Sequence, residues 1–138
     1  MRLSSMADYA VVTMCAAARH CGGNRVSSAQ LALETGLPLP TVQKLVSLLA
    51  AHGLLRSIRG AHGGIQLARP AAAITLADIV EAVEGPIALT ACCEIGKLDC
   101  ALESGCHVRP HWGEVNAAMR TLKLLVINYL QCQTTAAC

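Results

Sequence analysis

Aromatic residues are almost absent from this sequence. Its 138 residues include no phenylalanine, two tyrosines and one tryptophan, which together make up 2% of the chain. A core without aromatic rings has to be built from aliphatic side chains, which suits packed helices better than a sandwich of two sheets. We therefore expect a mainly helical protein that forms one compact domain, or a small domain with an oligomerisation element.

Long apolar runs are also missing, although 54% of the residues are hydrophobic. A helix needs about 18 consecutive apolar residues to cross a bilayer, and no stretch approaches this length. A secretory signal is not expected either, because Asp8 lies where the apolar part of such a signal would begin. We therefore expect a cytoplasmic protein with no membrane partner. In that compartment the eight cysteines would be ligands or sensors rather than structural disulfides.

Positive and negative charges are concentrated in different parts of the sequence. Residues 1–70 carry seven lysines or arginines against two acidic residues, a balance of +5. Residues 74–106 carry six acidic residues against one lysine, a balance of −5. A basic half beside an acidic half indicates that the first half faces a polyanion and that the second does not.

Three helices are predicted in the basic half, over residues 3–20, 27–35 and 40–51. Ser27 and Gln30 match a capping box at the start of the second helix. The second and third helices are separated by about four residues, which is typical of a helix-turn-helix. The third helix would turn four polar side chains outward: Thr41, Gln43, Lys44 and Ser47.

A β-hairpin is predicted directly after the third helix. Residues 54–58 and 65–67 have the composition of two short strands, and the glycines between them predict a flexible tip. Arg56, Arg59 and His62 lie on or beside that tip. A helix-turn-helix followed by a basic hairpin is the order of a winged helix, whose second helix enters the DNA major groove while the wing contacts the backbone or minor groove. The sequence therefore predicts double-stranded operator DNA as a partner.

The remaining residues divide into three predicted parts. Residues 71–108 would form a linker helix and a cysteine-rich loop, after the winged helix-turn-helix of residues 1–70. Residues 109–131 are predicted to form a long helix, because their apolar residues recur every three or four positions: Trp112, Val115, Met119, Leu122, Val126 and Tyr129. Such a stripe favours the dimer helix of a homodimer over a helix buried in its own domain. A disordered tail is expected over residues 132–138.

Half of the eight cysteines lie within the 21 residues 91–111, which are predicted to include the cysteine-rich loop: Cys92, Cys93, Cys100 and Cys106. Cys93, Cys100 and Cys106 have six and five residues between them, wider than the paired Cys-x-x-Cys of structural zinc sites. Three soft thiolates in a loop favour an iron-sulfur cluster with one further ligand. That ligand could be His107, His111, Cys92 or, from a partner chain, Asp8. Unligated redox thiols and inert cysteines are the alternatives.

Five stretches of the sequence resemble the winged-helix transcription regulators that include IscR, NsrR and RirA. They are RLSSMADYAVVTM, LALETGLPLPTVQKLVSLLAAHGLL, SIRGAHGGIQLARP, ITLADIVEAVEGPIALTACC and CHVRPHW. The likeness covers about residues 1–130 and is greatest to the branch that regulates the SUF iron-sulfur assembly operon. It implies a homodimer on palindromic operators, with a cluster-holding loop in each subunit and a long crossing dimer helix.

The resemblance also implies a ligand set for a cluster of the 2Fe-2S or 4Fe-4S type. The three cysteine ligands of the family fall on Cys93, Cys100 and Cys106, with Cys92 as the alternative to Cys93. IscR-like members use a histidine a few residues after the third cysteine, whereas His107 follows Cys106 immediately. NsrR-like members use an N-terminal acid from the other subunit, and Asp8 occupies that place.

These observations together predict a repressor of iron-sulfur assembly genes that senses cluster, iron or redox status. An enzyme with a small-molecule substrate is not expected, because the sequence contains no paired acid and base and no phosphate-binding loop. The alternative functions are a small iron-sulfur electron carrier and a cluster-free thiol or zinc redox sensor.

Overall fold

The computed structural model describes residues 4–20, 24–88, 90, 93, 100 and 105–120. The elements of this part follow in the order α1 (Ser5–Ala18), α2 (Ser28–Thr35), α3 (Leu39–Ala51), β1 (Leu55–Ile58), β2 (Gly64–Leu67), a 3-10 turn (Ala71–Ala73), α4 (Leu76–Glu84) and α5 (Arg109–Arg120). This order confirms the mainly helical fold with an antiparallel hairpin as its wing. The second half of the predicted dimer helix and the whole predicted tail lie outside the described residues.

Helix α1 is the central helix of the core. It begins after Ser4, whose hydroxyl accepts a hydrogen bond from the Ala7 amide at 3.2 Å. Ala10 and Met14 are completely buried. Thr13 is buried too, and its hydroxyl donates to the main-chain carbonyl of Tyr9 at 2.8 Å, so this polar group costs little inside the core. The many alanines of α1 let the other helices approach it closely.

The predicted helix-turn-helix is present, with two differences in detail. The Ser27 hydroxyl accepts from the Gln30 amide at 3.1 Å, a cap that contributes about 1 kcal/mol. The reciprocal half of the predicted capping box is replaced, because the Gln30 side chain donates to Glu34 at 3.1 Å instead. Helix α3 begins at Leu39, so that Pro40 takes the second helical position, where its missing N–H breaks no helical hydrogen bond.

The wing is a hairpin with a third, single-residue strand. Leu55 pairs with Leu67 and Ile58 with Gly64, so β1 begins one residue later than predicted. Val26, just before α2, forms an antiparallel bridge with Ile65, with N–O distances of 3.0 and 2.8 Å. The bridge buries both Val26 and Ile65 and holds the hairpin against the chain that leads into the helix-turn-helix.

Helix α4 shares the hydrophobic core of the winged helix. Its N-terminus has a complete capping box, because the Thr75 hydroxyl accepts from the Asp78 amide while the Asp78 carboxylate accepts from the Thr75 amide. Ile79 is completely buried against the residues of α1 and α3. Within the described residues the core therefore continues past residue 70 into the segment predicted as a linker helix.

Helix α5 packs on α4 through only part of its surface. Among the α5 residues whose burial the structure describes, Asn116 is the most buried, at 8% exposure, whereas Val115 is 45% exposed. Trp112 and Met119, from the same predicted stripe, are half-buried. Part of the apolar stripe thus remains uncovered within one subunit. No helix in the described ranges has the length and apolarity that a membrane crossing requires.

Candidate nucleic-acid interface and cysteine segment

Helix α3 presents a polar face to solvent, which we call the reading face and define as Thr41, Gln43, Lys44 and Ser47. Gln43, Lys44 and Ser47 are exposed and Thr41 is half-buried, because Val42, Leu45 and Leu49 occupy the opposite side and are completely buried. The Ser47 hydroxyl donates to the main-chain carbonyl of Gln43 at 3.0 Å. In this arrangement Ser47 offers only acceptor lone pairs outward, whereas Gln43 offers both a donor and an acceptor.

The wing carries the other predicted DNA-binding residues. Arg59 and His62 are exposed on the wing tip, defined as residues 59–63, and Arg56 is exposed on the outer face of β1. Arg56 points outward because successive side chains of a strand alternate, and its neighbour Leu55 is buried on the same face of the hairpin as Ile65. The structure therefore places all three side chains where a polyanion can reach them.

These cations are not neutralised by acidic side chains of the described chain. The three ion pairs found there involve Arg19, His20 and Arg69, and none involves Lys44, Arg56 or Arg59. A cation without a carboxylate partner keeps its full charge for a phosphate, whose condensed counterions are released on binding. This distribution of charge is what a surface that binds the DNA backbone requires.

Arg69 has a structural role that its position beside the wing did not indicate. Its guanidinium lies 3.4 Å from the Asp78 carboxylate, which also accepts from the Thr75 amide at 2.8 Å. Arg69, two residues after β2, is thus paired with Asp78 of the capping box that begins α4. Arg69 therefore joins the wing to α4, and its charge is already partly compensated.

The Glu34 carboxylate is similarly occupied within the domain. It lies 2.8 Å from His20 Nε2 and 3.4 Å from Arg19, and it accepts from Gln30 at 3.1 Å. Partial burial works to raise the pKa of Glu34, but the hydrogen bond and charge of His20, with Gln30 and Arg19, outweigh it and hold the pKa below its usual value. This carboxylate therefore ties the end of α1 to α2 and does not act as an isolated negative charge.

Arg25 is a wing residue that sequence reasoning missed. Its guanidinium donates a hydrogen bond to the main-chain carbonyl of His62 on the wing tip. Its neighbour Val26 supplies the third strand of the wing. Pairing of a single residue leaves no alternation in the sequence, so the only available signal was a lone arginine just before the helix-turn-helix.

The cysteine segment, which we define as residues 85–106, has three described cysteines. Cys93, Cys100 and Cys106 are all partly buried free thiols, and the Thr90 hydroxyl donates to Cys93 Sγ at 3.5 Å. His107 is exposed next to Cys106, while Cys92 lies outside the described residues. Thiolates are suitable donors for iron, but no group of three metal-binding side chains is gathered together among the described residues. The ligand set therefore stays a prediction.

The cysteine segment begins at a junction of three helices. The Ser4 amide donates to the Glu84 carboxylate at 3.2 Å, which brings the N-terminus of α1 beside the last residue of α4. Asp8 lies exposed in the first turn of this same α1. Asp8, the acidic ligand predicted to come from a partner chain, therefore lies on the helix whose N-terminus contacts the residue just before the cysteine segment.

Ile87 is held from both sides at this junction. Its amide donates to the Glu81 carboxylate of α4 at 3.0 Å, and its carbonyl accepts from the Asn116 side chain of α5 at 3.0 Å. The main chain that leads into the cysteines is thus fixed between two helices. Any rearrangement that moves Ile87 must also change the contact between α4 and α5.

Comparison with known sequences agrees with the geometry of the winged helix. The sequence pattern of the Rrf2 family, described as an iron-dependent transcriptional regulator, matches residues 3–124. The protein aau3 of Rhizobium meliloti is 35% identical over 123 residues, which are 87% of this chain and 73% of that protein. Three further curated relatives are matched over only 55% to 56% of their own length.

Two solved structures show the same fold. CymR, the global cysteine regulator of B. subtilis, superposes with a TM-score of 0.66 and 29% identity over 89% of each chain. IscR of T. potens gives a TM-score of 0.66 and 26% identity over the whole of this chain and 92% of its own. These likenesses confirm the resemblance to IscR-type regulators and the expectation that the protein is not an enzyme.

Proposed function

Because this chain belongs to the Rrf2 family of transcriptional regulators, we propose that it binds a palindromic operator as a homodimer and that its cysteine segment senses iron-sulfur cluster status. The observation that carries the DNA-binding part is the joint exposure of the reading face and of the wing residues Arg56 and Arg59, which have no acidic partner among the described residues. We assign it a repressor role on iron-sulfur assembly genes and a cytoplasmic location.

On the operator, α3 enters the major groove. Gln43 suits an adenine, which presents an acceptor and a donor together, and Ser47 suits a donor such as the cytosine amino group. Lys44 and Arg59 contact phosphates, which fix the register without reading the sequence. A two-fold dimer presents two such helices to half-sites about 34 Å apart, so the angle between the subunits decides whether both can bind.

The uncovered apolar surface of α5 supports a homodimer. Val115 of α5 is 45% exposed in the single subunit, and Val108, just before the helix, is 53% exposed. Val115 belongs to the heptad stripe that continues into residues 120–129 of the sequence. Packing of this stripe against its copy removes apolar surface from water at about 25 cal/mol per Å².

The proposed cluster ligands are Cys93, Cys100 and Cys106, with Cys92 in place of Cys93 as the alternative. The fourth ligand is His107 or, from a partner chain, Asp8. A bound cluster would supply iron-thiolate bonds that tie distant points of one loop together and break on oxidation or iron loss. Contacts within the chain would transmit the resulting change in the loop to the helices. Ile87 connects the loop to α4 and α5, and Ser4 connects α1 to Glu84 at the end of α4.

A cluster-free thiol sensor is the second candidate. It is favoured by the structural likeness to CymR, the global cysteine regulator of B. subtilis. In that case the same cysteines would respond by oxidation, and the coupling through Ile87 would be unchanged. Replacing Cys100 with serine would then alter the response to peroxide without altering the iron content.

Two measurements test the proposal. Anaerobic purification with visible absorption and iron and sulfide analysis is expected to show a coloured protein with both elements, and a colourless, zinc-loaded protein would contradict cluster binding. For DNA, we would select duplexes from a random library and compare the selected palindrome with a scrambled one by anisotropy. Equal affinity for both would contradict operator recognition. Gln43→Ala is expected to relax base choice at one position by about 1 to 3 kcal/mol.

A further inference from the structure

We infer that Arg25 is a positioning residue for the wing, which holds the wing tip in the conformation that presents Arg59 and His62 to DNA. This inference rests on the proposed DNA-binding function. Its first observation is that the Arg25 guanidinium donates to the His62 carbonyl, 37 residues further along the chain. Hydrogen bonds from a charged donor are among the strongest in proteins. This one joins Arg25, the residue before the single-residue strand at Val26, to the wing tip.

The wing tip has few other constraints. Residues 59–62 are all exposed, so the wing tip is not fixed by burial of its side chains. Within the hairpin, the Gly63 amide donates to the Gly60 carbonyl at 2.9 Å and closes a tight turn. Gly60 has a φ of +115°, a conformation that side chains rarely adopt. A turn of this kind is only weakly stable on its own. A contact from outside the hairpin therefore has a large effect on the conformation of the wing tip.

Gly64 provides a second, independent observation that the Arg25 side chain packs closely against the hairpin. A Cβ atom added at Gly64 would lie 2.8 Å from Arg25 Cβ, closer than side chains approach in folded proteins. The φ of Gly64 is +150°, which also disfavours other residues. Glycine at this position thus lets the Arg25 side chain lie directly against β2, from where it reaches the His62 carbonyl.

The bridge between Val26 and Ile65 fixes the base of this contact. Its two hydrogen bonds, of 3.0 and 2.8 Å, set the distance between the Arg25 main chain and the hairpin. Arg25 then bonds the carbonyl of one wing-tip residue, His62, while Arg59 lies on the other arm of the same turn. An ordered wing tip loses less conformational entropy on binding than a loose one, which raises affinity without any new DNA contact.

The test separates positioning from a direct phosphate contact. In the free protein, Arg25→Ala is expected to speed hydrogen exchange of the Gly63 amide by about tenfold, since a charge-assisted bond to the neighbouring residue is lost. Gly64→Ala is expected to give the same result, because it displaces Arg25. Arg19→Ala removes an exposed arginine that pairs with Glu34 and serves as the control, with no expected change at Gly63.

DNA affinity then completes a double-mutant cycle. Arg25→Ala and Arg59→Ala are each expected to weaken binding to the selected palindrome, and the double variant by less than the product of the two effects. Unchanged exchange at Gly63, or effects of Arg25→Ala and Arg59→Ala that simply multiply, would overturn the positioning role. If the unmodified protein fails to discriminate between duplexes, the proposed function fails, while the exchange data still decide whether Arg25 orders the wing tip.

Discussion

The side chain of Asn116 donates a hydrogen bond to the main-chain carbonyl of Ile87 at 3.0 Å. Asn116 is the most buried residue described on α5, and the carbonyl that it contacts lies just ahead of the cysteines. A buried polar contact at this place joins the helix of the proposed dimer seam to the segment that carries the proposed ligands.

Asn116→Leu is expected to destabilise the protein by about 1 to 3 kcal/mol, because the Ile87 carbonyl loses its donor in a partly buried position. Urea unfolding followed by circular dichroism gives the free energy of unfolding. Ala117→Ser is the matched control on the exposed side of α5, where a change of at most about 0.5 kcal/mol is expected. Equal stabilities for the unmodified protein and Asn116→Leu would show that the contact does not hold α5 in place.

Lys44→Ala and Arg59→Ala are expected to weaken DNA binding for all sequences alike, since phosphate contacts carry no base information. Each should also lower the slope of log affinity against log salt by about 1, the number of phosphates no longer neutralised. Anisotropy titrations at several salt concentrations provide both quantities. Arg19→Ala, which removes a paired arginine, should leave the slope unchanged, and an unchanged slope in the other two variants would reject this surface.

Acid is expected to weaken the contact between α1 and α2 at Glu34. The pKa of Glu34 is lower in the folded protein than in the unfolded chain, so its contribution is present above the unfolded pKa of about 4.3 and is lost as the pH falls through the folded pKa. Glu34→Gln should therefore be less stable than the unmodified protein at pH 7, and the difference should shrink in acid. Unfolding free energies at pH 7 and below pH 4 make this comparison; a difference that stays constant would contradict it.

Val115→Glu is expected to convert the proposed homodimer into monomers. A carboxylate at Val115 would be buried without a partner if the apolar stripe packs against its copy, and such burial costs several kcal/mol. Ala117→Glu adds the same charge two residues away on an exposed side and should leave the dimer intact. Sedimentation velocity reports the oligomeric state; a dimer that survives Val115→Glu would place the seam elsewhere.

The winged helix itself was predictable because its signals are local. Ser27, Gly36 and the Thr75–Asp78 pair mark helix ends through hydrogen bonds or a left-handed φ of +70° within a few residues. Leu45 and Leu49 likewise follow the helical repeat and are buried. Short-range geometry of this kind leaves a clear pattern in the sequence.

The contacts that join the parts together left no such pattern. Arg25 donates a hydrogen bond to His62, 37 residues further along the chain, and Asn116 donates one to Ile87, 29 residues earlier. Both use a main-chain carbonyl, which every residue possesses, so the partner's identity gives no clue. Arg69 follows the wing in the sequence, but its position beside Asp78 depends on how α4 folds back onto the core. Interactions of this type depend on the tertiary fold and are seen only in the structure.

The most direct test of the central claim is the operator affinity of one anaerobic preparation before and after removal of its iron and sulfide. The proposal predicts that the two states of the unmodified protein differ by about tenfold or more, the effect of 1.4 kcal/mol of coupling. It also predicts that Cys100→Ser binds no cluster and has the same affinity for the operator before and after the treatment that removes iron and sulfide. Identical affinities of the loaded and stripped protein for the selected palindrome would contradict the claim that the cysteine segment controls DNA binding.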